Sequence, residues 1–320
     1  MRALVTGAGG MVGSHLVEAL YRDGVDVLGT YYNPTVDVNK LNSELQLLEC
    51  DVRYPANIER IVTEFMPDQI YHLAAQSYPT VSWEKPYETM DINVNGTVAI
   101  FESVKKLRMG EMNYDPVIVV ACSSAEYGQA LETLTDPKVK ENTELKPLHP
   151  YGVSKVCQDL LAYQYYMNNQ IKCIRARIFN TTGVRKVNDV VSDFTKKAIW
   201  QKKNNLTHPV LKVGNIYTRR AILDVKDLNN ALRILAEKGS YGDVYNISSE
   251  LVYQIKDIIE LIEEELKIKF ELEIDTNLLR TTDEKIIVGD VCKLKQDTGW
   301  KQMVPMRQTI REMLNYWDEN

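Results

Sequence analysis

The tightest constraint on this chain lies in its first thirteen residues. Arg2–Thr6 is a short apolar run closed by Thr6-Gly7-Ala8-Gly9-Gly10-Met11-Val12-Gly13. From Met11 to Leu20 the apolar residues recur at spacings of three and four, the period of a helix packed along one face. A glycine cluster between a strand and a helix is a turn that lets backbone approach a phosphate. Gly7 suits the tight turn, Gly10 leaves room for a pyrophosphate, and Gly13 lets helix and strand pack closely. The helix start, with Met11 and Val12 in its first turn, presents free N–H groups and a partial positive charge to an anion. The chain is therefore expected to open with a dinucleotide-binding unit.

The following residues repeat that alternation. Strands are expected over 26–30, 46–50, 69–73, 116–121 and 171–177, with helices over 57–65, 89–106 and 151–168. Strands alternating with helices of this size call for a parallel sheet covered on both faces, an α/β fold of the Rossmann type, doubly wound. After about residue 178 the pattern breaks into shorter pieces: strands at 210–213, 221–225 and 244–247, and helices over 227–237, 254–266 and 306–316. The expected division is a dinucleotide-binding Rossmann domain over 1–178, rejoined by parts of 221–248, and a smaller α/β substrate-binding lobe over 179–320. Residues 132–148 are polar, hold two prolines and read as an extended loop.

Composition narrows the class further. At 320 residues the chain can bury a large core without staples. A net charge of -6 argues against a nucleic-acid binder, which would carry a basic stripe. No apolar run reaches the roughly 18 residues a membrane span needs, so no membrane partner is expected. Five scattered cysteines without a CxxC pair and an N-terminus that begins directly with a strand point to reduced thiols and a cytoplasmic protein. Four scattered histidines, His15 and His149 among them, suggest no metal site.

The chemistry is carried by Tyr151-Gly152-Val153-Ser154-Lys155. Tyrosine and lysine four apart on a helix share a face, where an ammonium is expected to lower the phenol pKa from about 10 and ready it for proton exchange with a hydroxyl. In an α/β sheet ligands collect at the carboxyl ends of the strands, so Ser123, Tyr151, Lys155 and the glycine loop should converge, with Ser123 hydrogen-bonding the same substrate oxygen. Asp51 and Val52, after the third strand, are candidate adenine contacts. The second strand ends in Thr30-Tyr31-Tyr32-Asn33, without the acid that holds a ribose 2′-OH or the arginine that holds a 2′-phosphate, so the cofactor is written as NAD or NADP.

Together these segments resemble the extended short-chain dehydrogenase/reductase family, and more narrowly its nucleotide-sugar branch. TGAGGMVG at 6–13, HLAAQS at 72–77, CSSAEYG at 122–128, HPYGVSK at 149–155 and RARIFNTTG at 175–183 fall in the family's order. KVGN at 212–215, YTRR at 217–220, VYNIS at 244–248 and LLRTTDEKIIVGD at 278–290 follow, the last similar to the segment in GDP-mannose 4,6-dehydratases and GDP-4-keto-6-deoxymannose reductases. The resemblance implies Ser123, Tyr151 and Lys155 as the catalytic set, and Leu73, Ala74 and Ala75 as lining for the cofactor. It places Ser124 and Asn180 at the substrate, Arg220 and Arg280 on its diphosphate, and Asp283 on the nucleotide ribose. An arginine fork suits phosphate oxygens better than a lysine does.

A 4,6-dehydratase needs one more acid/base, for the proton at C5. The dehydratases carry a glutamate two residues after the catalytic Ser/Thr; here that position is Ala125, and Glu126 follows it. One residue on a regular strand turns a side chain to the opposite face, and a bulge can re-aim it. The segments 73–77 and 81–86 read like the dehydratases. The expectation is therefore a GDP-hexose 4,6-dehydratase with Glu126 as its extra acid/base and a tightly held cofactor. The alternatives are a GDP-4-keto-6-deoxy-hexose reductase, a 4-epimerase, or a dinucleotide sensor without turnover. A homodimer or homotetramer is expected, with Tyr163, Tyr165 and Tyr166 in the core or at the subunit contact.

Overall fold

In the computed structural model, residues 1–110, 113–132, 138–278 and 288–320 are described. Seven parallel strands form the main sheet, in the spatial order Val244–Ile247, Cys173–Ile178, Val117–Ser123, Gln69–His72, Arg2–Thr6, Asp26–Tyr31 and Gln46–Glu49. The winding reverses between Arg2–Thr6 and Gln69–His72, so the crevice at the strand ends opens beside Thr6 and His72, where open α/β sheets take their ligands.

The strands alternate their apolar side chains between two buried layers. Ala3 and Val5 face Leu16, Val17, Leu228 and Leu232, while Leu4 faces Ile58, Val62, Ile100 and Val104. Helices Met11–Arg22 and Val225–Lys238 thus cover one face, and Pro55–Phe65 and Gly96–Gly110 the other. A third buried cluster, around Phe194, Ile258, Ile262, Ile310 and Met313, is formed by helices Val190–Lys203, Ile255–Leu266 and Met306–Glu319.

The strand at 244–247 lies in the main sheet, its register running from Val244 against Arg175 to Ile247 against Ile178. Three stretches differ from the sequence expectations. The helix expected over 89–106 begins within Pro86–Met90, passes through one π-helical turn at Asp91–Asn95 and continues as Gly96–Gly110, with Pro79–Glu84 ahead of it; Pro79 and Pro86 each start a helix at its first position. The stretch 221–225 contributes Arg219–Ala221 and Leu223–Asp224, and Asp224 then caps Val225–Lys238 through the Lys226 N–H. Within 132–148, Lys138–Val139 pairs with Val288–Gly289. Tyr165 is core, stacked on Phe101 at 4.7 Å with its hydroxyl on Glu102, whereas Tyr163 is 43% exposed beneath Arg175.

The segment after the main sheet is fastened to the first helix. His15 bonds the Val184 carbonyl at 3.0 Å and Arg185 forks onto Glu18 at 2.8 and 2.9 Å. Near the C-terminus, the buried Asp227 carboxylate accepts from Met303 and Val304 N–H groups at 2.9 Å each, and Trp300 donates to the Asp227 carbonyl.

Candidate active site

The glycine loop has the geometry its sequence implied. Gly7 sits at φ +78°, and a Cβ there would lie 2.8 Å from the Ala74 nitrogen, so a side chain is excluded by both conformation and space. A Cβ on Gly13 would fall 2.2 Å from the Gly7 carbonyl oxygen, the close helix–strand approach expected of it. Gly10 differs: a Cβ there would meet only the Gly7 carbonyl oxygen, at 3.4 Å. It is the cap of Met11–Arg22, with no side chain bonded to the helix N–H groups. Met11 is buried under the loop and Val12 half-buried. A turn kept bare by glycine at an uncapped helix start fits the pyrophosphate of a dinucleotide.

Behind this loop a buried polar chain sets the depth of the crevice. Thr6 Oγ1 and His72 Nδ1 lie 2.9 Å apart, the Ala74 N–H donates to Thr6 Oγ1, and His72 Nε2 lies 3.1 Å from Thr97 Oγ1. Gln158, on the helix of the YxxxK motif, donates to the same Thr97 hydroxyl at 2.7 Å. Burial pushes the His72 imidazole down to about 3, helped by the Lys155 charge, so it stays neutral. Asn93, in the π-helical turn, accepts from Gln76 N–H at 2.8 Å and donates to Gln76 carbonyl and to Ser154 Oγ. The segment Leu73-Ala74-Ala75-Gln76 is thereby strung between the first strand and the helix Pro150–Asn169. Sequence reasoning missed His72 and Asn93. Their signal was a polar residue at a strand end and another amid an apolar helix, which acquires meaning only once the partners are known.

Ser123, Tyr151 and Lys155 converge. Ser123 ends its strand, and its Oγ accepts from the Ala125 N–H at 3.2 Å; it also hydrogen-bonds the Tyr151 phenol. Pro150 and His149 start the helix, the imidazole Nδ1 accepting the Gly152 N–H at 3.0 Å and the ring stacking on Tyr151. Lys155 is buried, donates to the Ala121 carbonyl at 2.8 Å, and lies 5.8 Å from the centre of the Tyr151 ring. The expected lowering of the phenol is reversed. Burial of its oxygen raises Tyr151 to about 12, against the Ser123 hydrogen bond, and Glu126 and Cys122 push the same way. Burial also lowers Lys155, to about 8. Desolvation exceeds the lysine's influence here, so the phenol holds its proton.

Glu126 requires a correction. It lies in a tight turn, Ser124–Glu126, which begins as soon as the strand ends and carries its side chain into the interior. Its Oε1 accepts the Ser123 N–H at 2.7 Å, Oε2 lies 3.2 Å from Arg177 Nε, and the residue is fully buried. Burial and then the Asp159 carboxylate push its carboxyl well above the usual range, with Arg177 opposing. Cys122, Glu126 and Asp159 bring three ligand-type atoms within 4.8 Å, but the Arg177 guanidinium already bridges the two acids. The half-buried Ser124 begins this turn.

Asp51 is buried beside Val52, and Arg53 forks onto its carboxylate at 2.6–3.0 Å. Burial opposes ionisation there, yet the Arg53 hydrogen bonds hold Asp51 below its ordinary value. Arg53 also stands 5.6 Å over the ring of Tyr32, which places a guanidinium beside the end of the second strand. Asn180 is exposed, with its carbonyl accepting the Leu223 N–H at 2.9 Å. Arg220 is half-buried in the strand Arg219–Ala221, opposite Tyr253. Arg280 and Asp283 lie outside the described residues.

A family model described as GDP-mannose 4,6 dehydratase matches residues 4–313. The chain is 27% identical to the GDP-6-deoxy-D-mannose reductase of Pseudomonas aeruginosa, covering 99% of this chain and 97% of that one. It is 25% identical to a GDP-mannose 4,6-dehydratase of Vibrio cholerae, over 98% and 92%. Among solved structures, that of RMD from Pseudomonas aeruginosa complexed with NADPH superposes with a TM-score of 0.81 at 25% identity, covering 100% of this chain and 99% of that one.

Proposed function

Since the chain belongs to the GDP-mannose 4,6 dehydratase family, an NAD(P)-dependent branch of the extended short-chain dehydrogenases/reductases acting on nucleotide sugars, we propose that it reduces the C4 ketone of a GDP-linked 4-keto-6-deoxy-hexose. The observation that favours reduction over dehydration concerns Glu126. A proton donor pair for C4, Ser123 and Tyr151, meets at the strand end, whereas the neighbouring carboxylate is turned inward onto Ser123 N–H and Arg177. Dehydration needs an acid/base at C5, and Ala125 occupies the position where the dehydratases keep it.

In this reading the glycine loop and the start of helix Met11–Arg22 hold the dinucleotide pyrophosphate, Asp51 and Val52 border the adenine, and Leu73-Ala74-Ala75 line the cofactor. NAD or NADP, when bound, supplies the hydride chemistry. Tyr151, protonated across the neutral range, gives its proton to the C4 oxygen, and Ser123 hydrogen-bonds that oxygen. Lys155, fixed on the Ala121 carbonyl, stabilises the phenolate left behind. A positioned acid of this kind contributes about 10²–10⁴-fold. Arg220 and Asn180 take the sugar diphosphate, Ser124 borders the sugar, and Arg280 and Asp283 keep the diphosphate and ribose roles the resemblance implied. The division of labour follows the chain, cofactor on 1–178 with 244–247 and sugar nucleotide on the remainder.

Two finer readings accompany this one. A homodimer would form along helix Pro150–Asn169, where Leu160 and Met167 are 53% and 55% exposed on the side that carries Tyr163. A cytoplasmic setting suits the free thiols; no described helix is long and apolar enough to cross a membrane.

The test offers the protein two substrates. With GDP-4-keto-6-deoxymannose it is expected to consume NAD(P)H and yield a product heavier by two hydrogens. With GDP-mannose and NAD(P) the sugar nucleotide mass is expected to stay unchanged. Loss of one water from GDP-mannose would instead establish the dehydratase.

A further inference from the structure

Glu126 is withdrawn from the substrate side, yet a carboxylate is costly to bury. Desolvating an ion pair commonly cancels its Coulomb gain, and apolar side chains often serve a core as well. What distinguishes this pair is what it touches. Glu126 Oε1 holds the backbone N–H of Ser123 at 2.7 Å. Arg177 Nε lies 3.2 Å from the other Glu126 oxygen and 2.9 Å from Asp159 Oδ2. Asp159 stands on the helix Pro150–Asn169, four residues beyond Lys155 and therefore on its face. Arg175 secures the second Asp159 oxygen at 2.6 Å, and Arg177 Nη1 reaches the Tyr127 hydroxyl and the Glu141 carbonyl at 3.0 and 2.9 Å. Tyr127 in turn donates to Asn246, on the edge strand of the sheet.

One guanidinium is thus tied both to the carboxylate that fixes the serine backbone and to the carboxylate on the helix that carries the phenol and the amine. We infer that Glu126 and Arg177 are positioning residues, setting the separation of Ser123 from Tyr151 and Lys155 from behind the sheet. This rests on the reading that those three residues transfer the proton. The pair also acts through charge. Glu126 is faced by Cys122 from the strand before its turn, by Tyr151, Lys155 and Asp159 from the helix, by Arg177 from the neighbouring strand, and by Tyr127 just after the turn. Once ionised, it favours the ammonium form of Lys155.

Three variants, E126A, E126Q and Y151F, are compared in the NAD(P)H-dependent reduction of GDP-4-keto-6-deoxymannose, with NADPH affinity read by fluorescence. For E126A, kcat is expected to fall at least about tenfold, while KM and NADPH affinity stay within about twofold. E126Q still accepts from Ser123 N–H but lacks the charge, so its kcat should lie between E126A and the parent. Its alkaline limb should move down, because the carboxylate that ionises there no longer supports the Lys155 ammonium. Should E126A fail to fold, E126Q alone decides. Parental kcat and pH profile in E126Q, or a kcat loss matched by an equal loss of NADPH affinity, would overturn the inference. Y151F separates the two levels: if it turns over normally the proton-transfer reading itself fails, and if it is dead while both Glu126 variants match the parent, only the positioning role fails.

Discussion

The two sides of the strand end at Ser123 use their polar groups in opposite ways. On the crevice side, Ser123 Oγ and the Tyr151 phenol bond each other and one backbone N–H, leaving capacity for a substrate oxygen. On the inner side, Glu126, Asp159, Arg175 and Arg177 are joined acid to base with distances of 2.6–3.2 Å. A single turn, Ser124–Glu126, separates the two. The difference shows that the nature of a side chain near a site counts for less than the direction in which the backbone delivers it. The same glutamate that would complete a dehydratase from the front is turned here onto Ser123 N–H and Arg177.

Substitutions on the crevice side should cost turnover and little stability, those in the inner network turnover through misplacement of the crevice groups, and those in the framework stability. Tyr151→Phe is expected to give the largest effect, a loss of about 10²–10⁴ in kcat with Tm and NADPH affinity near parental. A fall in Tm of the size seen for a core variant would blur the contrast between the sides.

Gly13→Ala tests the framework. Its methyl would be driven to 2.2 Å from the Gly7 carbonyl oxygen, and overpacking of this kind costs about 1–3 kcal/mol. Denaturant unfolding should show that loss together with weaker dinucleotide binding, since the same movement displaces the loop. Unchanged stability would mean the helix can slide.

His72 supplies a pH test. Its folded-state pKa, about 3, lies below the ordinary imidazole value of 6.5, so the unfolded chain binds the extra proton. Stability from this group is complete above about pH 6.5 and drains away as pH falls towards 3, by about 2 kcal/mol between 6.5 and 5. A His72→Gln variant should show a flatter fall of Tm over that interval; an identical slope would remove the histidine from the buried chain. The smallest effect is expected for Arg220→Gln, a several-fold rise in the KM of the sugar nucleotide with kcat preserved, consistent with a partly exposed charged contact of about 1 kcal/mol. Equal changes in the two constants would move Arg220 into the chemistry.

Much of the fold was legible because its signals are local. The glycine spacing required a turn at Gly7 and close packing at Gly13, and alternating strands and helices dictated the parallel sheet. Tyr151 and Lys155 could be paired because four residues on a helix is one turn. Illegible features depended on contacts distant in sequence. The break at 91–95 rests on Asn93 reaching Gln76 and Ser154. The direction of Glu126 was decided by Arg177 and Asp159, more than thirty residues away. The phenol pKa was misread for a related reason: helix spacing announces the lysine neighbour, whereas desolvation depends on everything else that closes over the oxygen.

The most direct measurement follows a label. The protein is supplied with GDP-4-keto-6-deoxymannose and NADPH carrying deuterium at the transferable position, and the product is read by NMR. One deuterium at C4 of the sugar, with none at C5 or C6, is the expected result. Deuterium absent from the product, with GDP-mannose in a parallel reaction converted to a 4-keto-6-deoxy sugar, would contradict it and return the acid at C5 to this site.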